Sequence, residues 1–143
     1  MIGIRLKIPD NEAHTALATL QRLAVPVTKL QRTQIWDFEI LGDVERLLAA
    51  VQKNEGLFNA NKHEIVTFVR AVPRGGEVWI QELGAALDAR DLFAGKPAAS
   101  VIAVRRYTGW RMFASNGEPS DAHIVHMASE RLLCNPAIER AIM

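Results

Sequence analysis

The sequence predicts an α+β fold made of two successive βαββαβ units, with antiparallel sheets carrying helices on one face. Three observations lead there. Residues 2–8 alternate apolar and polar with the period of a half-buried strand. Apolar stripes at helical spacing then follow strand-like segments in the order strand, helix, hairpin, helix, strand. After a stretch with one Pro and two adjacent Gly, Arg70 to Glu77, the order begins again. The expected division is a first unit over 1–70, a connector over 71–77 and a second unit over 78–143. A single larger α+β domain with the same element order is the alternative.

In the first strand Ile2, Ile4, Leu6 and Ile8 share one side, and Gly3, Arg5 and Lys7 the other. Pro9 ends it, and Asp10 is placed to cap a helix whose stripe is Ala13, Ala16, Leu17, Leu20 and Leu23. Val25, Val27 and Leu30 are separated from Trp36, Phe38 and Ile40 by the polar run Gln31-Arg32-Thr33-Gln34, which reads as a hairpin turning around Arg32. Gly42-Asp43 opens a second helix, with Val44, Leu47, Leu48 and Val51 buried and an end near Gly56. A strand within Ile65 to Val69 closes the unit.

In the second half Val78 and Ile80 begin a strand. Leu83, Ala86 and Leu87 mark a weak helix ending around Gly95 or Pro97, on which Asp88, Arg90 and Asp91 read as ordinary surface pairing. Val101 to Val104 and Trp110 to Phe113 frame a second hairpin with Thr108-Gly109 as its turn. Asn116-Gly117 and Pro119 form a loop, and Ser120 caps a last helix with Ile124, Met127 and Ala128 inward. Asn135-Pro136 breaks that helix before a closing strand over Ile138 to Met143. The halves align at a constant offset of 74, which sets Trp36 on Trp110, Arg32 on Arg106, Val27 on Val101 and Asn61 on Asn135. The case for duplication rests on element order, since identities are few.

Composition narrows the functional classes. The 143 residues are 49% apolar and 23% charged, the balance of a globular chain. A net charge of +1 provides no bulk field toward nucleic acid or anionic membrane. The one cysteine, Cys134, excludes an internal disulfide and any zinc cluster of Cys pairs, and its flanks read as a small hydrophobe near a helix end. No apolar run reaches the ~18–20 residues a bilayer span needs. The first residues start straight into alternation without a signal core. The expected compartment is the cytoplasm, with no membrane partner.

Several clusters offer chemistry. His123 and His126, with Glu130, share a face of the last helix at metal-ligand spacing, but a zinc site needs a third or fourth ligand and supporting partners. Arg105, Arg106 and Arg111 cluster on the second hairpin and Arg32 with Lys29 on the first, interleaved with Trp36, Tyr107 and Trp110. Arginines and aromatics together suit phosphate or RNA. The competing reading is solvating strand residues over a packed core, and Asp37 and Glu39 weaken a basic groove, so no nucleic-acid partner is expected. No phosphate loop or nucleophile elbow is present. No catalytic residue, metal or cofactor is therefore assigned.

The run Ala128-Ser129-Glu130-Arg131-Leu132-Leu133-Cys134-Asn135-Pro136-Ala137-Ile138-Glu139 resembles the end of the PurS family, whose last helix runs into Leu-Leu-Ala-Asn-Pro-Val-Ile-Glu. The strand Ile4-Arg5-Leu6-Lys7 and the helix pattern Ala16-Leu17, Leu20, Leu23 are similar to its opening, and Leu57-Phe58-Asn59-Ala60-Asn61 is a fainter copy of the ending. The resemblance implies tandem ferredoxin-like units and a non-catalytic subunit of formylglycinamide ribonucleotide amidotransferase in purine synthesis, without activity alone. Its partners would be the synthetase (PurL-type) and glutaminase (PurQ-type) subunits, with homodimerisation as a further expectation. The contact residues expected on that reading are Arg32, Trp36, Arg105, Arg106 and Trp110. Pro9-Asp10-Asn11-Glu12, Gln31-Arg32-Thr33-Gln34 and Arg106-Tyr107-Thr108-Gly109 depart from the family's turns, which bears on partner recognition. The alternative is a regulatory small-molecule-binding module of the kind the ACT-domain family represents.

Overall fold

The computed structural model describes residues 2–68, 70–84, 87, 88, 92, 93 and 101–143. In chain order its elements are β1 (Ile2–Leu6), α1 (Asn11–Arg22), β2 (Lys29–Ile40), α2 (Val44–Lys53), β3 (His63–Thr67), β4 (Glu77–Glu82), β5 (Val101–Phe113), α3 (Ala122–Ala128) and β6 (Glu139–Ile142). A π-helical turn, Ser129–Leu133, extends α3. All six strands join one antiparallel sheet in the order β3-β1-β2-β5-β4-β6.

This corrects the expectation of two tandem ferredoxin-like βαββαβ units. Each expected hairpin is one unbroken strand. β2 runs straight through Arg32, and β5 straight through Thr108-Gly109. The two strands pair continuously from Lys29 opposite Phe113 to Ile40 opposite Val101, with one irregularity at Glu39 and Ile40. Among the described residues each half therefore supplies three strands, and the two sets share one sheet. Gly109 is needed for close approach, not for a turn. A Cβ there would lie 2.7 Å from Ile35 Cδ1 and 3.5 Å from Trp79 Cδ1.

The sequence offset of 74 has a geometric counterpart. Gln34 lies opposite Thr108, its own equivalent, and the register runs outward symmetrically from that pair. Arg32 thus opposes Trp110 while Trp36 opposes Arg106, so a local pseudo-twofold axis crosses the middle of the sheet.

The helices start where carboxylates cap them. Asp10 accepts from the Glu12 and Ala13 amides, and Asp43 from Glu45 N. The third cap is Asp121, which accepts from Ile124 N, rather than the expected Ser120; Ser120 is buried with its Oγ unpartnered. The last turn widens because Cys134 N reaches Ser129 O, a five-residue step. The helix expected from Leu83 to about Gly95, with Arg90 and Asp91, lies largely outside the described residues.

Strand alternation sorts the sheet into two faces. On one, α1 and α3 pack over Leu30, Val78, Ile80 and Met112. On the same face α2 and the residues Leu87, Leu92 and Phe93 pack over Ile4, Trp36, Phe38 and Val104. The opposite face buries Ile35, Trp79 and Tyr107 with Phe68 and Ile142. Phe68 meets Trp79 edge-on at 5.6 Å and also lies under the Arg74 guanidinium. The buried Glu77 carboxylate accepts from Trp79 Nε1 (2.8 Å) and from an Arg74 terminal nitrogen (2.7 Å), so it is paired and hydrogen-bonded. These bonds hold the segment before β4 against the sheet.

Gly76 marks where that segment enters β4. Its φ is +75°, and a Cβ would lie 2.6 Å from Met112 O. The Gly76→Ala variant should lose about 2 kcal/mol or more, combining left-handed strain with the backbone clash. A lowered urea midpoint at unchanged slope is the expected readout; an unchanged midpoint would contradict this account.

Candidate functional site

The two apolar clusters on the helical face do not meet over the centre of the sheet. Along β2 that face reads Leu30, Arg32, Gln34, Trp36, Phe38, Ile40, and along β5 it reads Met112, Trp110, Thr108, Arg106, Val104 and, past the register shift, Val101 opposite Ile40. Four polar side chains thus sit at the pseudo-twofold, between the α1/α3 layer and the α2 layer. Two adjoining cavities of about 600 and 310 Å³ open there, and Arg32, Gln34 and Arg106 line both. These are ordinary dimensions for a small-molecule site.

The two arginines have different surroundings despite their equivalent positions. Arg32 Nε donates to Asp10 Oδ2 at 3.0 Å, and its NH1 pairs with Glu12. Asp10 also caps α1, so the Arg32 side chain ties the first helix to the middle of the sheet. Arg106 lies over the Trp36 ring, 5.7 Å from its centroid, and approaches Glu82 Oε2 only at 3.9 Å. The first is a satisfied structural ion pair; the second keeps hydrogen-bonding capacity. Gln34 Nε2 donates to Tyr107 O at 3.3 Å, which leaves its amide oxygen for the cleft. Glu12, Glu82 and Glu139 add carboxylates, and Ile80, Leu87, Ile102 and Val104 an apolar side, to the larger cavity.

Of the residues expected at a contact surface, Arg32, Trp36, Arg106 and Trp110 fall on this face. Trp36 is buried with Phe38, stacked at 6.0 Å, and Trp110 packs against the α1/α3 cluster. Arg105 points to the opposite face, where it approaches Asp37 at 3.6 Å. On that face Arg111 donates to Gly75 O, and desolvation, reinforced by Arg74, lowers its pKa. Gln34, Thr108, Glu12 and Glu82 were not singled out from the sequence. The signal for Gln34 and Thr108 is the break in the apolar alternation of both long strands, which sequence patterning assigns to turns; Glu12 on α1 and Glu82 on β4 have no such signal.

The histidine cluster has little architecture. His126 and Glu130 pair at 3.0 Å on an exposed face, and among the described residues no three His, Cys, Asp or Glu side chains converge as metal ligands. Cys134 is half-buried, and desolvation with the nearby Glu139 carboxylate raises its pKa. No helix among the described residues is long and apolar enough to cross a membrane. No family model matches the chain, and no curated protein matches it.

Two outcomes follow from these surroundings. Arg32→Ala should cost about 1 kcal/mol or more, because it strips the partner from the part-buried Asp10, whereas Arg106→Ala should stay within about 0.5 kcal/mol; equilibrium urea unfolding of both variants compares them, and equal losses would refute the distinction. Iodoacetamide should alkylate Cys134 slowly at neutral pH, with the rate rising at higher pH than for a free cysteine, since a raised pKa leaves less thiolate. Glu139→Gln should shift that profile to lower pH.

Proposed function

We propose that the chain is a regulatory binding module that takes up a small molecule in the cleft at the centre of its sheet. The observation that carries this reading is the loosely engaged Arg106 guanidinium, which lies over Trp36 inside a cavity of ligand size. Support also comes from the placement of that cavity between two separate apolar layers, where a bound molecule would touch both halves of the chain. A ligand that ties the two layers together would stabilise the fold by mass action, by about 2.7 kcal/mol at a hundredfold excess over Kd. We place its action in the cytoplasm. A thermal-unfolding screen against amino acids and nucleotides should give a rise in Tm with at least one class, lost in Arg106→Ala. If millimolar concentrations of every class leave the wild-type Tm unmoved, this function is wrong.

A second reading is favoured by the segment that resembles PurS. There Leu132 and Ile138 are exposed, and Ile138 lies beside the exposed Leu83, whose amide bonds to Ile138 O at 2.8 Å. Exposed apolar side chains at the end of the outer strand β6 suit a protein partner. On this proposal the chain is a non-catalytic subunit that joins the synthetase and glutaminase of purine synthesis. A pull-down with glutamine and Mg-ADP should recover both subunits, and recovery should fail for a Leu83→Glu, Ile138→Glu variant. Capture of neither by the folded wild-type protein removes this reading.

A further inference from the structure

The charges lining the larger cavity are mixed, and this restricts what it can hold. Arg32 is already engaged by two carboxylates and Arg105 approaches Asp37, so among the described residues Arg106 is the lining cation with most capacity left, while Glu12 and Glu82 are well exposed. A ligand carrying only negative charge would meet those carboxylates. A ligand carrying only positive charge would meet Arg106. A molecule with both charges close together is favoured by both.

The Arg106–Glu82 contact shows where such a molecule fits. At 3.9 Å it is within ion-pair range but too long for a hydrogen bond. Register supports the placement: Val78 and Ile80 lie opposite Trp110 and Thr108, so the next inward position on β4 brings Glu82 beside Arg106. The guanidinium carbon lies 5.7 Å from the Trp36 ring centroid, and a guanidinium whose nearest carboxylate is 3.9 Å away can still take a carboxylate in bidentate contact. One ammonium and one carboxylate inserted at this point would replace a loose ion pair by several charge-assisted hydrogen bonds. Beyond the pair the cavity wall turns apolar, lined by Ile80, Ile102 and Val104. Ile102 is 57% exposed, so it has apolar surface left to cover.

We infer that the cleft binds a free α-amino acid with an apolar side chain: its carboxylate on Arg106, its ammonium on Glu82, and its side chain against Ile80, Ile102 and Val104. This rests on the small-molecule reading above and specifies the ligand class. Thr108 and Gln34 line the same cavity as that arginine, on adjacent strands.

The test is saturation-transfer NMR and calorimetric titration of the full chain with three probes: L-leucine, N-acetyl-L-leucine and L-leucinamide. Binding of L-leucine alone is expected, since each derivative removes one of the two charges. Arg106→Gln and Glu82→Gln should each weaken L-leucine by at least tenfold, and Thr108→Val, which keeps a β-branched strand residue, by less. Circular dichroism of each variant confirms that loss of binding is not loss of fold. Equal binding of N-acetyl-L-leucine, abolished by Arg106→Gln, would overturn the zwitterion and leave the cleft as an anion site. If no probe binds while a nucleotide raises the Tm, the ligand class is wrong and the module reading stands. If nothing binds in either experiment, both fall.

Discussion

The ladder between β2 and β5 is the constraint on which the rest of the molecule depends. It runs over twelve pairs, near the middle of the sheet, and it is the seam along which the two halves of the chain meet. Because side chains alternate along a strand, a slip of one residue would carry every inward group to the opposite face. The register with Gln34 opposite Thr108 puts Leu30 with Met112 and Phe38 with Val104 on the helical face, and Ile35 with Tyr107 on the other. Both faces are buried along part of this ladder, so both specify the same register. Gly109 contributes by letting Ile35 and Trp79 close over it without a Cβ.

From that register the cleft follows. The helices gather on one face in two groups, α1 with α3 over one side of the axis and α2 with Leu87, Leu92 and Phe93 over the other. Apolar strand residues lie under each group, and polar ones lie between. Equivalent arginines then take unequal roles. Asp10 and Glu12, at the start of α1, draw Arg32 into the scaffold, whereas among the described residues Arg106 has the Trp36 ring at 5.7 Å and a distant Glu82. The symmetry of the backbone is broken by which carboxylates reach which guanidinium, and the asymmetry leaves the Arg106 guanidinium with capacity for another partner.

Much of the local structure was legible. The Asp10 and Asp43 caps and the first strand and first two helices formed where expected, although β1 stops at Leu6 and Ile8, Leu23 and Val44, expected inward, are exposed. The reading failed at Arg32 and at Thr108-Gly109, and for one reason in both places. A polar interruption in an apolar strand has two physical causes, a turn or a gap in what covers the strand. Single-chain patterning favours the turn, because the gap depends on where helices distant in sequence come to rest. The last helix shows a smaller version: Ser120, the expected cap, is buried, and Asp121 caps the helix instead.

The sequence by itself determined the first strand, where the first two helices begin and most of the side chains that want burial, because those depend on neighbours within a few residues. It also carried the offset of 74 that the register later obeys. Only the tertiary structure decided that two long strands pair through their polar centres, that four separated residues form one cleft, and that Arg106 keeps hydrogen-bonding capacity where Arg32 does not. Those outcomes depend on pairings between residues 70 or more positions apart, and on which of several carboxylates lies within reach once the sheet has closed.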